Sequence, residues 1–369
     1  MSLPQLLLLT CLTLAGVQVA YWLVFLLSLR TKPEPAPADP LPGISVIVCA
    51  HDEEQNLREL IPLLLSQDHP DFEVIIVEDQ SNDSTYDLLL KATKEDPRLK
   101  MVKVNSKPAH IPGKKYALTL GIRAAVHDIV LLTDADCRPA DNSWVRAMAS
   151  KFRTGIDIVT GVSPYLHRGG LLNAFIRFET WVTAIQYTSF ARIGAPYMGV
   201  GRNLAYRKKL FLEGKGFHSH LSVMGGDDDL FGNEHARSGN TEVAAGASTI
   251  TWSIPKESLK QFLSQKIRHL TAGRQYRFVH HLMLVPFTLS WVLILPLSMV
   301  QLFFGLSGTL VGLLLLRWVV MTLALRLQTL QYGQRQHLLM VPVMDALFAV
   351  YYLVAGLAAL FTRKIVWKT

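Results

Sequence analysis

Three consecutive carboxylates and one carboxylate pair have the spacing that chemistry needs. Asp134-Ala135-Asp136 follows the apolar run Ile129–Thr133, and in an extended backbone residues two apart point the same way. Two carboxylates converging at a strand end can hold a ribose or a hard divalent cation, Mg2+ or Mn2+. Such a cation clamps a diphosphate and stabilises it as a leaving group, with Lys114 upstream as a phosphate or nucleoside contact. Farther on, Asp227, Asp228 and Asp229 stand in a row after Met224-Gly225-Gly226. Like charges this close raise the pKa of at least one member, which suits a general base. The same acids suit the first turn of a helix, and the two readings are compatible.

Ala50-His51-Asp52-Glu53-Glu54 and Glu78-Asp79-Gln80-Ser81-Asn82-Asp83 each close a short β-branched run. Singly, each cluster reads first as helix capping. Together they fall where an α/β sheet takes its ligand, so carboxylates there could hold base or ribose groups. Glu257–Arg277 reads as a basic amphipathic helix carrying Gln265, Lys266, Arg268, His269, Arg274 and Arg277. Diphosphate binding and attraction to anionic lipid are equal readings of it, using different faces. His218 and His220 lack further ligands and read as a structural or solvated strand rather than a metal pair. Leu171–Ala191, with Phe175, Phe178, Trp181 and Tyr187, reads as core or as a helix dipping into the membrane interface near a lipid acceptor.

These residues need a scaffold, and the pattern supplies one. Ile44–Cys49, an amphipathic stretch Glu53–Gln67 and Glu73–Val77 form a βαβ unit. The alternation continues with a helix over Ser84–Lys94, a strand over Met101–Val104, a helix opening at Gly113 and the strand Ile129–Thr133. An open α/β sheet follows, with its ligands beyond the carboxyl ends of the strands. No internal repeat is present.

Half of the 369 residues are apolar and only 18% are charged, too greasy for a fully soluble protein. The apolar residues cluster. Met1–Leu29 carries no charged side chain and exceeds the roughly 20 residues that cross a bilayer. It reads as an anchor rather than a cleaved leader, because a basic start is missing and the run is too long. Arg30 and Lys32 then place the N-terminus outside and the following domain in the cytoplasm. Three more segments, Leu282–Phe304, about Thr309–Leu330 and Leu339–Phe361, follow His281. Arg317 and Arg326 in the second must snorkel, face a protein-lined cavity or lie in the interface. If all three cross, the basic tail Arg363, Lys364 and Lys368 ends outside, against the positive-inside rule.

The expected domains are an N-terminal transmembrane helix over 1–30, a proline-rich linker over 31–42, a catalytic domain over 43–255, a juxtamembrane helix over 256–280 and a C-terminal membrane region over 281–369. The net charge of +8 suits anionic lipid or phosphate-bearing substrates and does not itself imply nucleic acid. Three isolated cysteines, Cys11, Cys49 and Cys137, support neither a disulfide framework nor a cysteine zinc site, and suit a reducing compartment.

The ordered set of motifs from Ile44 to Arg277 resembles the inverting family 2 glycosyltransferases of GT-A fold. The resemblance is to the membrane-bound branch with ceramide glucosyltransferase and the processive polysaccharide synthases. Ala50–Glu54 resembles the family's first-strand motif, which implies that Glu53 faces the nucleoside. Val77-Glu78-Asp79-Gln80-Ser81 resembles its Val-Asp-Asp-Gly-Ser segment, which puts Asp79 on the base. Gly113-Lys114 is similar to the Gly-Lys opening the next helix. Asp134-Ala135-Asp136 is similar to the metal motif, with Asp136 the direct ligand beside Asp134. Gly201–Arg207 resembles the acceptor-side strand, and Asp227-Asp228 the acidic pair supplying the base, for which Asp228 is chosen. Gln265-Lys266-Ile267-Arg268-His269 resembles the Gln-x-x-Arg-Trp motif, which implies that Gln265 and Arg268 bind the donor, while His269 in place of Trp departs from the stacking role and from processive synthesis.

The resemblance implies a GT-A mixed sheet with one N-terminal and about three C-terminal transmembrane helices. It implies transfer from a nucleotide sugar, first of all a UDP-sugar, to a lipid or lipid-linked acceptor, with Mg2+ or Mn2+, on the cytoplasmic face of a bacterial inner membrane. A polyprenyl-phosphate glycosyltransferase, a processive synthase and a non-catalytic membrane scaffold are the alternatives.

Overall fold

The computed structural model describes residues 1–30, 40–108, 111–334 and 340–362. An apolar helix, α1 (Leu3–Ser28), precedes the sheet. The β-branched runs become β1 (Ile44–Ala50), β2 (Phe72–Glu78), β3 (Leu99–Lys103) and β4 (Ile129–Asp134), all parallel. They are joined by α2 (Glu54–Leu65), α3 (Thr85–Glu95) and α4 (Gly113–Ala124), the crossover helices that parallel pairing requires. Next come β5 (Cys137–Pro139), α5 (Trp144–Ala149), β6 (Ile158–Thr160), α6 (Leu171–Arg192), β7 (Leu204–Arg207), α7 (Lys208–Glu213) and α8 (Asp229–His235). Then follow β8 (Thr241–Val243), β9 (Thr251–Ser253), α9 (Leu259–Gly273), α10 (Phe278–Leu302), α11 (Gly308–Gln331) and α12 (Val341–Phe361). The main sheet runs β3-β2-β1-β4-β7-β6-β8, with β7 antiparallel to both neighbours, and β5 and β9 form a separate ribbon.

Alternation along the strands splits the soluble core. Ile44, Val46 and Val48 pack under α2, α3 and α5, while Ile47 packs under α4 and α8 on the other face. Gly121 permits α4 to lie close, because a Cβ there would sit 2.8 Å from the side chains of Ile47 and Val77. A third core joins the long apolar helices to the sheet domain through α6, whose Phe175, Trp181 and Phe190 pack with Trp22 and Phe25 of α1, Trp291 of α10 and Tyr351 of α12. The aromatic stretch expected to be core or interface is therefore a platform between the two.

Among the described residues, α1, α10, α11 and α12 are long and apolar enough to cross a membrane. They are knitted together. Gln18 Nε2 donates to the Phe287 carbonyl at 2.7 Å and to Ser290 Oγ at 2.8 Å. Arg317 neither snorkels nor reaches a cavity: its guanidinium donates twice to Asp345, at 2.7 Å each, and to Gln18 Oε1 at 3.2 Å, with both charged groups fully buried. Trp318 Nε1 completes the set at 2.8 Å from Asp345.

The path of α12 is oblique. Asp345, near its start, meets Arg317 and Trp291 at the middles of α11 and α10. Tyr351 meets Phe262 of α9 and Phe175 of α6, and the Ala359 carbonyl accepts from Arg274 at 3.4 Å. The helix thus climbs from mid-bundle to the level of α9 and ends on the side that carries the sheet. The tail residues Arg363, Lys364 and Lys368, as well as Leu339, Lys32 and the linker residues 33–39, lie outside the described residues.

Two boundaries differ from expectation. The basic helix α9 stops at Gly273 instead of Arg277, because Asn233 captures the Arg277 amide at 2.9 Å and α10 starts immediately afterwards. His218–His220 is a 3-10 turn instead of a strand; burial pushes the His220 imidazole down to about 4, where it is a neutral, structural group beside Ser219.

Candidate active site

The carboxyl ends of β1, β2 and β4 open into one cavity of about 1420 Å³, lined by the residues read as donor, metal and base groups: Glu53, Asp79, Lys114, Asp134, Asp136, Asp227, Asp228, Gln265 and Arg268. Its far wall is formed by α6, α9, α10 and α12.

At the β1 and β2 ends, Asp52 and Gln80 adopt left-handed conformations, with φ of 55° and 60°. The acids there divide the work. Asp52 accepts from the Asn82 amide at 2.6 Å, Glu78 from the Ser81 amide at 2.6 Å and Asp83 from the Glu54 amide at 3.1 Å, so these three brace the loops as capping groups do. Glu53 and Asp79 face the cavity instead. Asn56 Nδ2 holds Glu53 at 2.6 Å, and Lys107 stands 3.2 Å from the buried Asp79 carboxylate.

Lys114, at the start of α4, ties two acidic groups together, 3.0 Å from Asp134 and 3.2 Å from Asp227. Burial alone would favour a neutral amine, but Asp134, Asp227 and Asp228 outweigh it and hold the ammonium charged. The Asp134 carboxyl, pushed up by burial, is in turn held below its usual range by Lys114, Arg202 and Lys256. Asp136 points into the same space with Lys256 Nζ 3.7 Å away. No group of three or more His, Cys, Asp or Glu side chains among the described residues is placed to hold a metal unaided. Two hard carboxylates beside a diphosphate fit Mg2+ or Mn2+, which usually take one or two protein acids and complete the shell with phosphate and water.

Asp228, the N-cap of α8, accepts from the Gly201 amide and from the Asp229 amide, both at 2.7 Å. Burial and the neighbouring Asp227 push its pKa up against Lys114, the direction a general base requires. Asp229 goes further: burial and the charge of Asp228 push it up to about 8, although Tyr276 Oη donates to it at 3.0 Å. Asp229 therefore favours its proton at neutral pH, and Asp228 is the acid fixed by two backbone amides at the head of the helix.

On α9, Gln265 faces Tyr165 at 3.4 Å, and Arg268 lines the cavity two residues after Lys266, which pairs with the buried Glu179 at 2.5 Å. His269 lines the cavity, where desolvation and the charges of Lys266, Arg268, Arg202 and Lys114 push its imidazole well below the usual range. Sequence reasoning gave no role to Arg202, Lys256 or Tyr276. Arg202 donates to Ser253 Oγ at 2.6 Å and lies 4.7 Å over the Tyr165 ring, adding positive charge near Asp134 and Asp136. The turn Gly201–Asn203, read as part of a strand, precedes β7 and presents its amide to the base.

Residues 45–213 match the family model described as Glycosyl transferase family 2. Over 195 residues the chain is 26% identical to the glycosyltransferase AglE of Haloferax volcanii, covering 51% of this chain and 59% of that protein. Over 95 residues it is 30% identical to the poly-β-1,6-N-acetyl-D-glucosamine synthase of Staphylococcus epidermidis, covering 26% of this chain and 22% of that protein. The chain thus spans less than two thirds of these relatives. The mannosyltransferase PcManGT of Pyrobaculum calidifontis, solved with GDP-Man and Mn2+, superposes with a TM-score of 0.63 at 17% identity, over 98% of this chain and 100% of that one. That likeness establishes the fold across the sheet and the long helices. Residues 45–213 thus form a glycosyl transferase family 2 domain on a GT-A fold, and among the described residues four helices are long and apolar enough to associate with a membrane.

Proposed function

We propose that the protein transfers a sugar, with inversion, from a nucleoside diphosphate sugar to the hydroxyl of a lipid or lipid-linked acceptor at a membrane surface. The observation that carries this reading is the continuity of one cavity from the carboxylates at the strand ends, past Asp228, to the apolar helices α10 and α12. A site for soluble acceptors has no use for membrane helices in its wall.

Glu53 and Asp79 face the nucleoside, and Lys114, Arg268 and Gln265 face the diphosphate side. Asp134 and Asp136 would hold Mg2+ or Mn2+, which offsets charge on the leaving nucleoside diphosphate when bound. The Mn2+ and GDP-Man bound to the mannosyltransferase of the same fold support a nucleotide-sugar donor held with a divalent cation. Asp228 takes the acceptor O–H proton while the oxygen forms a bond to the anomeric carbon. The bond from that carbon to the diphosphate oxygen breaks, its electron pair leaves with the diphosphate, and the configuration inverts. Asp227 holds Lys114 and thereby orients positive charge towards the donor. Glycolipid formation in the cell envelope, from the cytoplasmic face, is the setting this reading implies.

The test is turnover of purified protein in native lipid extract with a panel of UDP- and GDP-sugars, measuring nucleotide release and new glycolipid, with Mn2+ or EDTA. Asp228→Asn is expected to lose about 10²–10⁴-fold of transfer while still binding nucleotide. Undiminished transfer by that variant would overturn the assignment of the base.

A further inference from the structure

The membrane arm of the cavity has a shape of its own. Val285, Leu289 and Val292 on α10 face it from one side, and Leu353, Gly356 and Leu357 on α12 from the other. At the inner end α10 and α12 close together, where the Trp291 and Phe348 rings lie 4.4 Å apart and Trp291 Nε1 donates to the Asp345 carbonyl. Below that closure the Arg317–Asp345 pair fills the bundle. At the outer end the helices part around the cavity, Arg274 and His281 standing at its edge. The result is a blind, wedge-shaped slot. Val285, Leu289, Leu353 and Leu357 are themselves substantially exposed, so the slot also opens sideways along its length. From His281 to Val292, α10 advances about 17 Å at ~1.5 Å per residue, roughly half of a ~30 Å hydrocarbon core.

A slot of one-leaflet depth, apolar, open to the side and leading up to the half-buried Asp228, has one kind of occupant. We propose that it holds a hydrocarbon chain of a lipid that enters laterally from the leaflet on the catalytic side and lifts its hydroxyl to Asp228. This deepens the transferase reading and rests on it for the role of Asp228. The blind end carries a second consequence: among the described residues α10 and α12 close below the slot, so the product leaves by the way the acceptor came, into the same leaflet. Gly356 sets the width. A Cβ built on it meets nothing within 4 Å, so a larger side chain would project into the slot instead of disturbing the packing.

The experiment uses the full chain in phosphatidylglycerol nanodiscs with a 16-carbon 1-alkanol bearing a diazirine at mid-chain. Irradiation followed by peptide mapping is expected to place adducts on 284–292 of α10 and 353–360 of α12, and unlabelled hexadecanol should suppress them. Gly356→Trp should reduce both labelling and transfer to lipid by about tenfold or more, the size of an overpacking clash. Val350→Trp, on the exposed outer face of α12, should change neither. Adducts spread evenly over the lipid-facing sides of α1 and α11, or adducts that neither hexadecanol nor Gly356→Trp suppresses, would overturn the slot. Donor hydrolysis by the unmodified protein, assayed in parallel without acceptor, separates the two ideas. Hydrolysis with scattered labelling removes the slot and leaves the transferase. Specific labelling with no donor turnover removes the transferase and leaves a lipid site.

Discussion

Asp229→Asn separates the two acids at the head of α8 and gives them opposite outcomes. Asp229 is 8% exposed and accepts from Tyr276 Oη at 3.0 Å. Burial and the charge of Asp228 raise its pKa from 3.8 to about 8. Because the folded value lies above the unfolded one, the proton on Asp229 stabilises the fold at low pH, and this contribution is lost as pH rises through 8. One unit below the folded pKa, the bound proton contributes on the order of 1 kcal/mol relative to the ionised folded protein. The wild type is therefore expected to lose about that much between pH 7 and pH 9. Asparagine is neutral throughout and still accepts from Tyr276, so the variant should lack this slope. The same ionisation sets a second negative charge against Asp228, so wild-type transfer should fall above pH 8 while the variant stays active. Urea unfolding in detergent from pH 6.5 to 9.5, beside transfer of radiolabelled sugar to lipid, reads both effects. If Asp229→Asn were as inactive at pH 7 as Asp228→Asn, or if wild-type stability were flat across this range, the division of roles would be wrong.

Gly201→Ala is expected to lower transfer by roughly 10- to 100-fold with little change in nucleotide binding, because its Cβ would stand 3.1 Å from Asp228 Cβ and Oδ2 and push the base off its line; unchanged turnover counts against a fixed base. Asp345→Ala should destabilise the bundle by about 3–5 kcal/mol by leaving Arg317 buried and unpaired. The double change Arg317→Met with Asp345→Leu should recover most of that loss in the same unfolding assay.

The strand ends were legible because they depend on local pattern. β-Branched runs fixed β1, β2 and β4, their termini fell within a residue or two of expectation, and the acids after them line one cavity. What the runs cannot tell is which acid braces a loop and which faces a ligand. Asp52, Glu78 and Asp83 look like Glu53 and Asp79 in sequence, and only the crossing of the β1 and β2 loops, where Asp52 takes the Asn82 amide, sorts them. Arg317 was visible as a cost in an apolar helix, but its partner was not sought. Asp345 lies 28 positions away in a segment read as a plain span, and the pairing exists only once α11 and α12 meet. The path of α12 was equally hidden, since hydropathy reports length and apolarity and says nothing about where a helix starts.

The base depends on the junction with the membrane helices. Asp228 opens α8, and Asn233 in the middle of that helix donates to the Tyr197 carbonyl at 2.8 Å, contacts His280 Nδ1 at 2.7 Å and accepts the Arg277 amide at 2.9 Å. Tyr276 adds its bond to Asp229 from the same junction. The turn between α9 and α10 therefore grips α8 from below at two points, while Gly201 fixes Asp228 from the sheet. No motif announces this, because Asn233, Tyr276 and His280 are ordinary residues whose effect comes from meeting. Its physical consequence is that the carboxylate and the start of the lipid slot belong to one hydrogen-bonded unit. A tilt of α10 that widens the slot has to strain the bonds that position Asp228, so acceptor entry and base placement are set by the same packing.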